Sequence, residues 1–334
     1  MPTPSVPGTR LLGPDANTWL VVNPAARRGA VAFAEARAWL KAAVRLSGAF
    51  MPTSLEAMTA LLRRAVDVGV ERVVVGGGDG TLSHAAQVLQ QTPVAMGVLP
   101  LGTGNTFAWG LGLGPRWHHW LEVIRQGWAV PMDLGEAEAS GERRVFLNSA
   151  TIGVSEALVE LLSQEAKRRL GWWAWPLAFR RALKATPAIA VRLGRADGED
   201  RFVTRQLVVA NGRTVAGPIP TSPLASPWDG WLDVFCLGGP SEGEILCATV
   251  RVLTGHHVRA AASHYQRART LTLEAEPPAR LDVDGELWRL TPVRFSVKPR
   301  ALWVVAPVSP EAPQGRSALH LFVPPPRPGH ALRA

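Results

Sequence analysis

The residues with the clearest chemical potential lie in one glycine-rich turn, residues 76–81, which reads Gly-Gly-Gly-Asp-Gly-Thr. A turn with almost no side chains leaves backbone N–H groups free to meet an anion such as phosphate. Asp79 is the one acidic group in this turn, and a carboxylate does not bind phosphate directly. Its natural partner is a cation that phosphate also binds, most simply Mg²⁺. The turn therefore predicts a nucleotide-phosphate site.

A second glycine turn follows the next strand-like segment, at residues 99–105. Two such turns on neighbouring strands can enclose a triphosphate from both sides. Asn23-Pro24, followed by Arg27 and Arg28, marks a third strand end with counter-charge for phosphate. Each turn alone is an ordinary loop between a strand and a helix, and the sequence contains no GxxxxGK[ST] motif. Three of them at successive strand ends favour a nucleotide site.

The elements that must position these turns alternate along the first third of the chain. Strands are predicted at residues 19–22, 73–75, 96–99 and 129–133, and helices at 30–46, 55–68, 82–89 and 117–125. Ser54 is a candidate cap for the second helix. The alternation predicts an α/β N-terminal domain that is doubly wound around a mainly parallel sheet. Ligands bind at the carboxyl ends of strands in such sheets, where the glycine turns lie.

The pattern changes after Asp133. Strand-like segments at residues 144–149, 188–193, 202–210, 231–237, 270–274 and 293–297 are separated by Gly, Pro and Asp turns, with a helix near 242–253. These segments predict a C-terminal, mainly antiparallel β-sandwich-like domain. We place the boundary near residues 134–141, which gives a nucleotide-binding domain at 1–135 and a β-rich substrate domain at 136–306. The Pro-rich residues 307–334 are either a tail or a segment that returns to the first domain.

Composition limits the class of partner and the compartment. The 334 residues carry a formal charge of +9, which fits an anionic partner such as a nucleotide or an acidic membrane without choosing between them. We expect no nucleic-acid partner, and a homodimer is left open. The two cysteines, Cys236 and Cys247, form no CxxC pair, which favours a reducing cytoplasm. There is no signal-peptide pattern and no apolar run of about 18 residues, so we expect a soluble protein that can still contact a membrane surface.

The motifs resemble, in order and spacing, the catalytic domain shared by diacylglycerol kinases, sphingosine and ceramide kinases and soluble bacterial lipid kinases. The resemblance covers about residues 20–307 and includes later segments of the second domain. The matching motifs are Asn23-Pro24, Gly77-Gly78-Asp79-Gly80-Thr81, residues 99–105, Asp133-Leu134-Gly135, Asn148 with Gly153, Asn211-Gly212, residues 223–225, residues 229–234 and residues 283–286.

The resemblance implies roles at individual positions. Asp79 would hold Mg²⁺ and phosphates, directly or through water, with Asp133 in the same acidic network. Glu286 would be the general base that takes the proton from a lipid hydroxyl. The implied ATP site contains Asn23, Pro24, Arg27, Thr53, Gly77, Gly78, Gly80, Thr81, Gly102, Thr103 and Asn105. A second, structural cation of some bacterial members would correspond to Ser226, Asp229 and the carbonyl of Trp231.

The chain departs from the family pattern at three places. Many bacterial members have Asn-Asp after the second glycine turn, where this chain has Asn105-Thr106. The usual Asn-Glu on the helix after the first turn is Ser83-His84 here. Asn-Pro is followed by Ala-Ala-Arg in place of the more usual Ser-Gly. These differences bear on substrate identity and catalytic rate more than on the fold.

Asp284-Gly285-Glu286 has two compatible interpretations. Asp-Gly between strand-like runs is a strong hairpin signal. The order of the family motifs adds a catalytic interpretation of Glu286, and a turn is a good place to present a carboxylate.

A Trp-rich basic segment, residues 167–181, contains Trp172, Trp173 and Trp175 between clusters of Lys and Arg. Trp favours the membrane–water interface and Lys/Arg favour anionic headgroups, so the segment is a candidate for peripheral docking on an anionic membrane, at its inner face. The alternative is a helical pair that packs its aromatic rings into the domain core.

Together these features predict an ATP- and Mg²⁺-dependent lipid kinase that phosphorylates the hydroxyl of diacylglycerol, a sphingoid base or a related lipid. NAD kinase, which resembles the same glycine–aspartate turn, is the alternative enzyme. A non-catalytic lipid- or nucleotide-binding homologue is the alternative outside catalysis, and intact Asp79 and Glu286 argue against it.

Overall fold

The computed structural model describes residues 6–26, 28–114, 116–154, 174–195, 198–220, 225–237, 243–244, 247 and 265–307. The helices in these ranges are α1 Gly29–Ala43, α2 Leu55–Asp67, α3 Asp79–Leu89, α4 Thr106–Gly110, α5 Trp117–Gln126 and α6 Ala174–Ala185. The first strands are β1 Arg10–Leu11, β2 Thr18–Val22, β3 Leu46–Phe50, β4 Arg72–Gly77, β5 Ala95–Pro100, β6 Trp128–Ala139, β7 Glu142–Phe146, β8 Ser149–Gly153, β9 Ile189–Arg195 and β10 Gly198–Thr204. The others are β11 Gln206–Ala210, β12 Thr214–Ala216, β13 Ile219–Pro220, β14 Leu232–Leu237, β15 Gln266–Ala268, β16 Thr270–Glu276, β17 Arg280–Val283, β18 Glu286–Leu290 and β19 Val293–Val305.

The N-terminal domain contains the predicted mainly parallel sheet. Its strands lie in the order β19-β5-β4-β2-β3, with parallel pairing between each neighbouring pair. Every residue of β2, β4 and β5 is buried, as expected for apolar strands that are covered on both faces. Because the strands run in parallel, the two glycine turns and Asn23 all follow strand ends at one edge of the sheet.

The second helix illustrates how the local sequence positions this layer. The Ser54 hydroxyl accepts a hydrogen bond from the Ala57 N–H at 3.1 Å, which confirms the predicted cap. Met58, Leu62 and Ala65 recur at helical spacing and are buried against the sheet. The helix α2 begins shortly after β3 ends, and Thr53 lies exposed in the short connection between them.

The C-terminal domain is the predicted antiparallel β-sandwich. One layer has the order β15-β14-β11-β8-β17-β18, and the other is formed by β10, β9, β16, β19, β6 and β7. Apolar side chains from both layers share one core, which includes Phe146, Ile152, Leu193, Leu207 and Phe295. Burial of these side chains is the main stabilising contribution to this half of the molecule.

Two predicted strands each prove to be two strands in different layers. Residues 202–210 divide into β10 and β11, because the chain crosses from one layer to the other at Arg205. Residues 144–149 divide in the same way between β7 and β8. The apolar pattern of a strand does not reveal such a crossing, because it indicates which faces are buried and not which sheet the strand joins.

Two strands are longer than predicted and connect the domains. β6 continues through the predicted boundary at residues 134–141, and Gly135 allows this because a β-carbon there would lie 2.1 Å from the Phe146 ring. β19 continues past residue 297, so that Trp303 and Val304 pair in parallel with β5 of the first domain. Strand pairing is thus continuous across residue 135, and the division into two domains at that residue stays a prediction. Residues 308–334 lie outside the described ranges.

No helix within the described ranges is long and apolar enough to cross a membrane. The side chains of Trp172, Trp173 and Trp175 lie outside the described residues, as does most of the helix predicted near residues 242–253.

Candidate functional site

The structure brings the two glycine turns into direct contact. β4 and β5 are adjacent, with Gly77 opposite Pro100, and the Leu101 N–H donates to the Gly77 carbonyl at 2.8 Å. A β-carbon on Gly102 would lie only 2.6 Å from the Gly78 Cα. Any larger residue would therefore separate the turns, and glycine is required at this point by close approach. The result is a cradle of backbone groups at the carboxyl ends of two neighbouring strands.

The Asn105 side chain hydrogen-bonds within the second turn. The residue adopts a left-handed conformation with φ of 48° and is buried. Its side-chain oxygen accepts from the Gly102 N–H at 2.9 Å, and its amide donates to the Gly102 carbonyl at 2.8 Å. Asn105 thus closes the turn on itself, whereas Thr103 is exposed at the rim.

Asn23 links the first strand end to the glycine turn. Its amide donates to the Thr81 hydroxyl at 3.0 Å, and its side-chain oxygen accepts from the Ala25 N–H at 2.9 Å. Thr81 also lies against Gly77, where a β-carbon would be 2.4 Å from the threonine side chain. These contacts place Asn23, Gly77 and Thr81 together, with Pro24 next in the chain. Arg27 lies outside the described residues.

Asp79 is the first residue of α3, and its carboxylate reaches across to α4. One oxygen accepts from the Phe107 N–H at 3.1 Å. Burial raises the pKa of Asp79, and the hydrogen bond from the Phe107 N–H acts in the opposite direction. A β-carbon on Gly104 would lie 3.1 Å from the other carboxylate oxygen. The carboxylate of Asp79, in the first turn, therefore lies against the second turn.

A single carboxylate between two glycine turns suits Mg²⁺ bound together with phosphates. Mg²⁺ takes one or two protein carboxylates and completes its shell from substrate phosphates and water. Within the described ranges there is no group of three or more His, Cys, Asp and Glu residues that would hold a metal by themselves. One carboxylate beside the backbone N–H groups of two turns fits a cation that arrives with a nucleotide.

Glu286 brings a second carboxylate to the first glycine turn. A β-carbon on Gly80 would lie 3.2 Å from one carboxylate oxygen of Glu286, and the other oxygen accepts from Arg144 on β7. Asp284 and Gly285 both have positive φ, 51° and 90°, so the predicted Asp-Gly hairpin turn is confirmed. The turn presents Glu286, whose side chain is 51% exposed, to the start of α3.

Asp284 has a role that the sequence did not reveal. Its carboxylate accepts hydrogen bonds from the N–H groups of Leu147, Asn148 and Ser149 at 2.8, 2.9 and 3.1 Å. Burial of the carboxylate raises the pKa of Asp284 to about 6. In the sequence Asp284 belonged to the motif at residues 283–286 and to a hairpin turn, and neither signal indicates a buried acceptor of three N–H groups.

Gln87 holds the same segment from the α3 side. Its amide donates to the Val145 carbonyl at 2.6 Å, and its oxygen accepts from the Val145 N–H at 3.3 Å. Residues 145–149 are thus held by Gln87 of the first domain and by Asp284 of the second. This arrangement fixes the Glu286 turn relative to α3.

Asp284 makes the free energy of unfolding depend on pH. Its pKa is about 6 in the folded protein against 3.8 for a free side chain, so the folded state binds more protons between these values. The contribution of Asp284 to the free energy of unfolding is therefore largest below about pH 4, and falls by about 3 kcal/mol as the pH rises through 6. Urea unfolding of wild type and Asp284→Asn across this range should show their difference in stability shrinking as the pH rises. A difference that is independent of pH would contradict this assignment.

Asp133 contacts the second domain and not the turn of Asp79. Its two carboxylate oxygens accept from the N–H groups of Arg300 and Gly230, each at 2.7 Å. Burial raises the pKa of Asp133, with backbone hydrogen bonds opposing it and the charge of Asp229 adding to it. The structure therefore groups Asp133 with the loop at residues 226–231.

That loop is also the predicted position of a structural cation. One Asp229 oxygen accepts from the Trp231 N–H at 3.1 Å, and the other forms an ion pair with Arg267. Arg267 and Arg269 both lie over the Trp231 ring, at 5.6 and 4.9 Å from its centroid. A guanidinium already supplies positive charge to Asp229, so these contacts do not favour a bound cation. The cation site at Ser226, Asp229 and Trp231 stays a prediction.

Gly102→Ala is expected to disrupt the cradle. The added β-carbon would contact backbone atoms of Gly78, and relief of that overlap costs about 1–3 kcal/mol in folding free energy. ATP affinity, measured by calorimetry, is expected to fall roughly tenfold or more because the two turns move apart. Gly13→Ala is the matched control, since a β-carbon there meets no atom within 4 Å. Equal ATP affinity in the two variants would contradict the cradle.

Comparison with known proteins identifies the family. Residues 17–137 match the family model of the diacylglycerol kinase catalytic domain. Residues 148–306 match the model of the YegS C-terminal NAD kinase beta sandwich-like domain.

Individual relatives of the chain have names that fit these two family models. A Pseudomonas aeruginosa protein named probable lipid kinase YegS-like is 33% identical over 251 residues, which cover 74% of this chain and 80% of that protein. A Mycobacterium tuberculosis diacylglycerol kinase is 28% identical over 268 residues, with the same two shares covered. A crystal structure of a diacylglycerol kinase from Bacillus anthracis matches 87% of this chain and 97% of its own with a TM-score of 0.72, and at 22% identity it supports the fold. The chain therefore belongs to the diacylglycerol kinase catalytic-domain family of lipid kinases.

Proposed function

We propose that the protein transfers the γ-phosphoryl group of ATP to the hydroxyl of a lipid, diacylglycerol or a sphingoid-type lipid, in the presence of Mg²⁺. Membership of a lipid kinase family supports the reaction class. The single observation that supports the mechanism is the approach of Glu286 to Gly80, because it joins a carboxylate of the second domain to the phosphate cradle of the first.

Each group then has one task. Glu286 accepts the proton of the lipid hydroxyl as the oxygen attacks phosphorus, and Arg144 holds the Glu286 carboxylate in place. Backbone N–H groups of the turns at Gly78 and Gly102 bind phosphate oxygens. Mg²⁺ would be held by Asp79 together with the phosphates, and would neutralise their negative charge. Phosphoryl transfer requires little beyond this positioning and charge neutralisation.

A lipid substrate also bears on the cellular location of the protein. A formal charge of +9 favours contact with an anionic bilayer, and we propose peripheral binding at the inner face of the membrane from a cytoplasmic protein. The Trp-rich segment at residues 167–181 is the proposed contact, and its three Trp side chains lie outside the described residues.

The reaction is tested with a panel of acceptors. The protein is incubated with γ-labelled ATP, Mg²⁺ and, separately, diacylglycerol, sphingosine, ceramide, phosphatidylglycerol or NAD. Label in a lipid product supports the proposal and names the acceptor. Labelled NADP would instead identify an NAD kinase, and ATP binding without any labelled product would indicate a non-catalytic homologue.

A further inference from the structure

Thr106 lies where the two domains meet the second glycine turn. It is the first residue of α4 and is buried. Its hydroxyl oxygen accepts from the Gly217 N–H at 2.9 Å, and its carbonyl accepts from the Thr214 hydroxyl at 2.7 Å. Both donors belong to residues 214–220, the β12–β13 hairpin. One residue of the first domain therefore holds a hairpin of the second domain at two points.

The hairpin turn lies directly against the second glycine turn. Gly217 has a φ of 56°, and a β-carbon on it would lie 3.7 Å from the Gly104 carbonyl oxygen. At the far end of α4, a β-carbon on Gly110 would lie 3.1 Å from the Thr214 hydroxyl. The hairpin thus follows α4 along its length and ends at the proposed phosphate cradle.

The same Thr106 hydroxyl also faces Asp79. A β-carbon on Gly104 would lie 3.1 Å from a carboxylate oxygen of Asp79 and 3.6 Å from the Thr106 hydroxyl oxygen, so both groups are on one side of the turn. A backbone N–H can only donate, so the Thr106 oxygen must accept from Gly217. Its single proton is then available to the Asp79 carboxylate, which lies on the same side of the turn. The resulting chain runs from Gly217 through Thr106 to Asp79.

Few residue types can make both contacts. Serine retains the hydroxyl, which accepts from Gly217 and can donate toward Asp79, whereas valine has nearly the same shape and can do neither. Aspartate could accept from Gly217, but it would place a second negative charge beside Asp79 without a proton to donate.

We propose that Thr106 is a positioning residue that couples the β12–β13 hairpin to the orientation of Asp79, so that the cradle and the second domain are held in one arrangement. Its effect on phosphoryl transfer rests on the function proposed above, whereas the coupling itself does not. The Phe107 N–H donates to Asp79 and is not altered by a change of the Thr106 side chain. This amide therefore reports the orientation of Asp79 independently of catalysis.

Hydrogen exchange and kinetics of Thr106→Val and Thr106→Ser, in the full chain, test the coupling. In Thr106→Val we expect faster amide exchange at Gly217 and at Phe107, and a kcat that falls roughly tenfold with a smaller change in the KM for ATP. Thr106→Ser is expected to restore both amides and kcat. Should the valine variant fail to fold, Thr106→Ala removes the same hydroxyl with less bulk.

The outcomes separate this inference from the proposed function. Faster exchange at both amides that is reversed in the serine variant supports the coupling, even when wild type labels no lipid. Unchanged exchange at Phe107 in the valine variant overturns it. If wild type is active, an unchanged kcat of Thr106→Val also overturns the positioning role.

Discussion

Replacing Glu286 with glutamine is expected to lower the rate of lipid phosphorylation about a hundredfold or more, because removal of a general base costs on the order of 10²–10⁴ in rate. Glutamine has the same shape and length, so it fits beside Gly80 and the turn at Asp284 is unchanged. It cannot take up the proton of the attacking hydroxyl at neutral pH. Steady-state kinetics should therefore show a loss in kcat, with the KM for ATP nearly unchanged.

The chain contains a matched control for this substitution. Glu142 on β7 also pairs with an arginine, Arg289, and its side chain is 54% exposed against 51% for Glu286. Glu142→Gln removes an ion pair of the same kind without touching the glycine turn, and such exposed pairs contribute only about 0–1 kcal/mol to stability. We expect it to retain wild-type kcat. Equal activity of the two variants would remove Glu286 from the mechanism.

Asp79→Asn is expected to lower kcat by about a hundredfold or more and to raise the Mg²⁺ concentration required for half-maximal rate, since charge stabilisation at a transferring phosphoryl group contributes several kcal/mol. Asparagine keeps an oxygen that can accept from the Phe107 N–H, so the contact between α3 and α4 is retained. The negative charge that would hold Mg²⁺ is lost. A titration of the rate against Mg²⁺ at saturating ATP measures the effect.

Asp67→Asn is the control for loss of charge alone. Asp67 ends α2, is exposed, and belongs to the same domain. Surface substitutions of this kind usually change stability by no more than about 0.5 kcal/mol, and we expect an unchanged Mg²⁺ requirement. If Asp79→Asn retains the Mg²⁺ dependence of wild type, Asp79 does not bind the metal.

The sequence was informative where structure depends on neighbouring residues. The apolar runs of β2, β4 and β5 predicted buried parallel strands, and Ser54 predicted the start of α2. The Asp-Gly pair predicted a tight turn before Glu286. In each case the signal and its structural effect lie within a few residues of one another.

The sequence was less informative where a contact joins distant segments. No local pattern indicates that Asp284 accepts three N–H groups from residues 147–149, or that Arg267 pairs with Asp229. The continuation of β19 into the first sheet depends on its pairing with β5, about 200 residues earlier in the chain. Asn105 belonged to a recognisable turn, but its use in closing that turn follows from the left-handed backbone, which the sequence alone does not specify.

The most direct test of the central claim is the transfer of label from γ-labelled ATP to lipid in mixed vesicles of diacylglycerol, sphingosine and anionic phospholipid. Wild type and Glu286→Gln are compared at equal ATP occupancy. We predict that wild type transfers label to the lipid fraction. Glu286→Gln is expected to do so at about one hundredth of the wild-type rate or below. Label that stays in the aqueous fraction with wild type, or that reaches the lipid equally with both proteins, would contradict it.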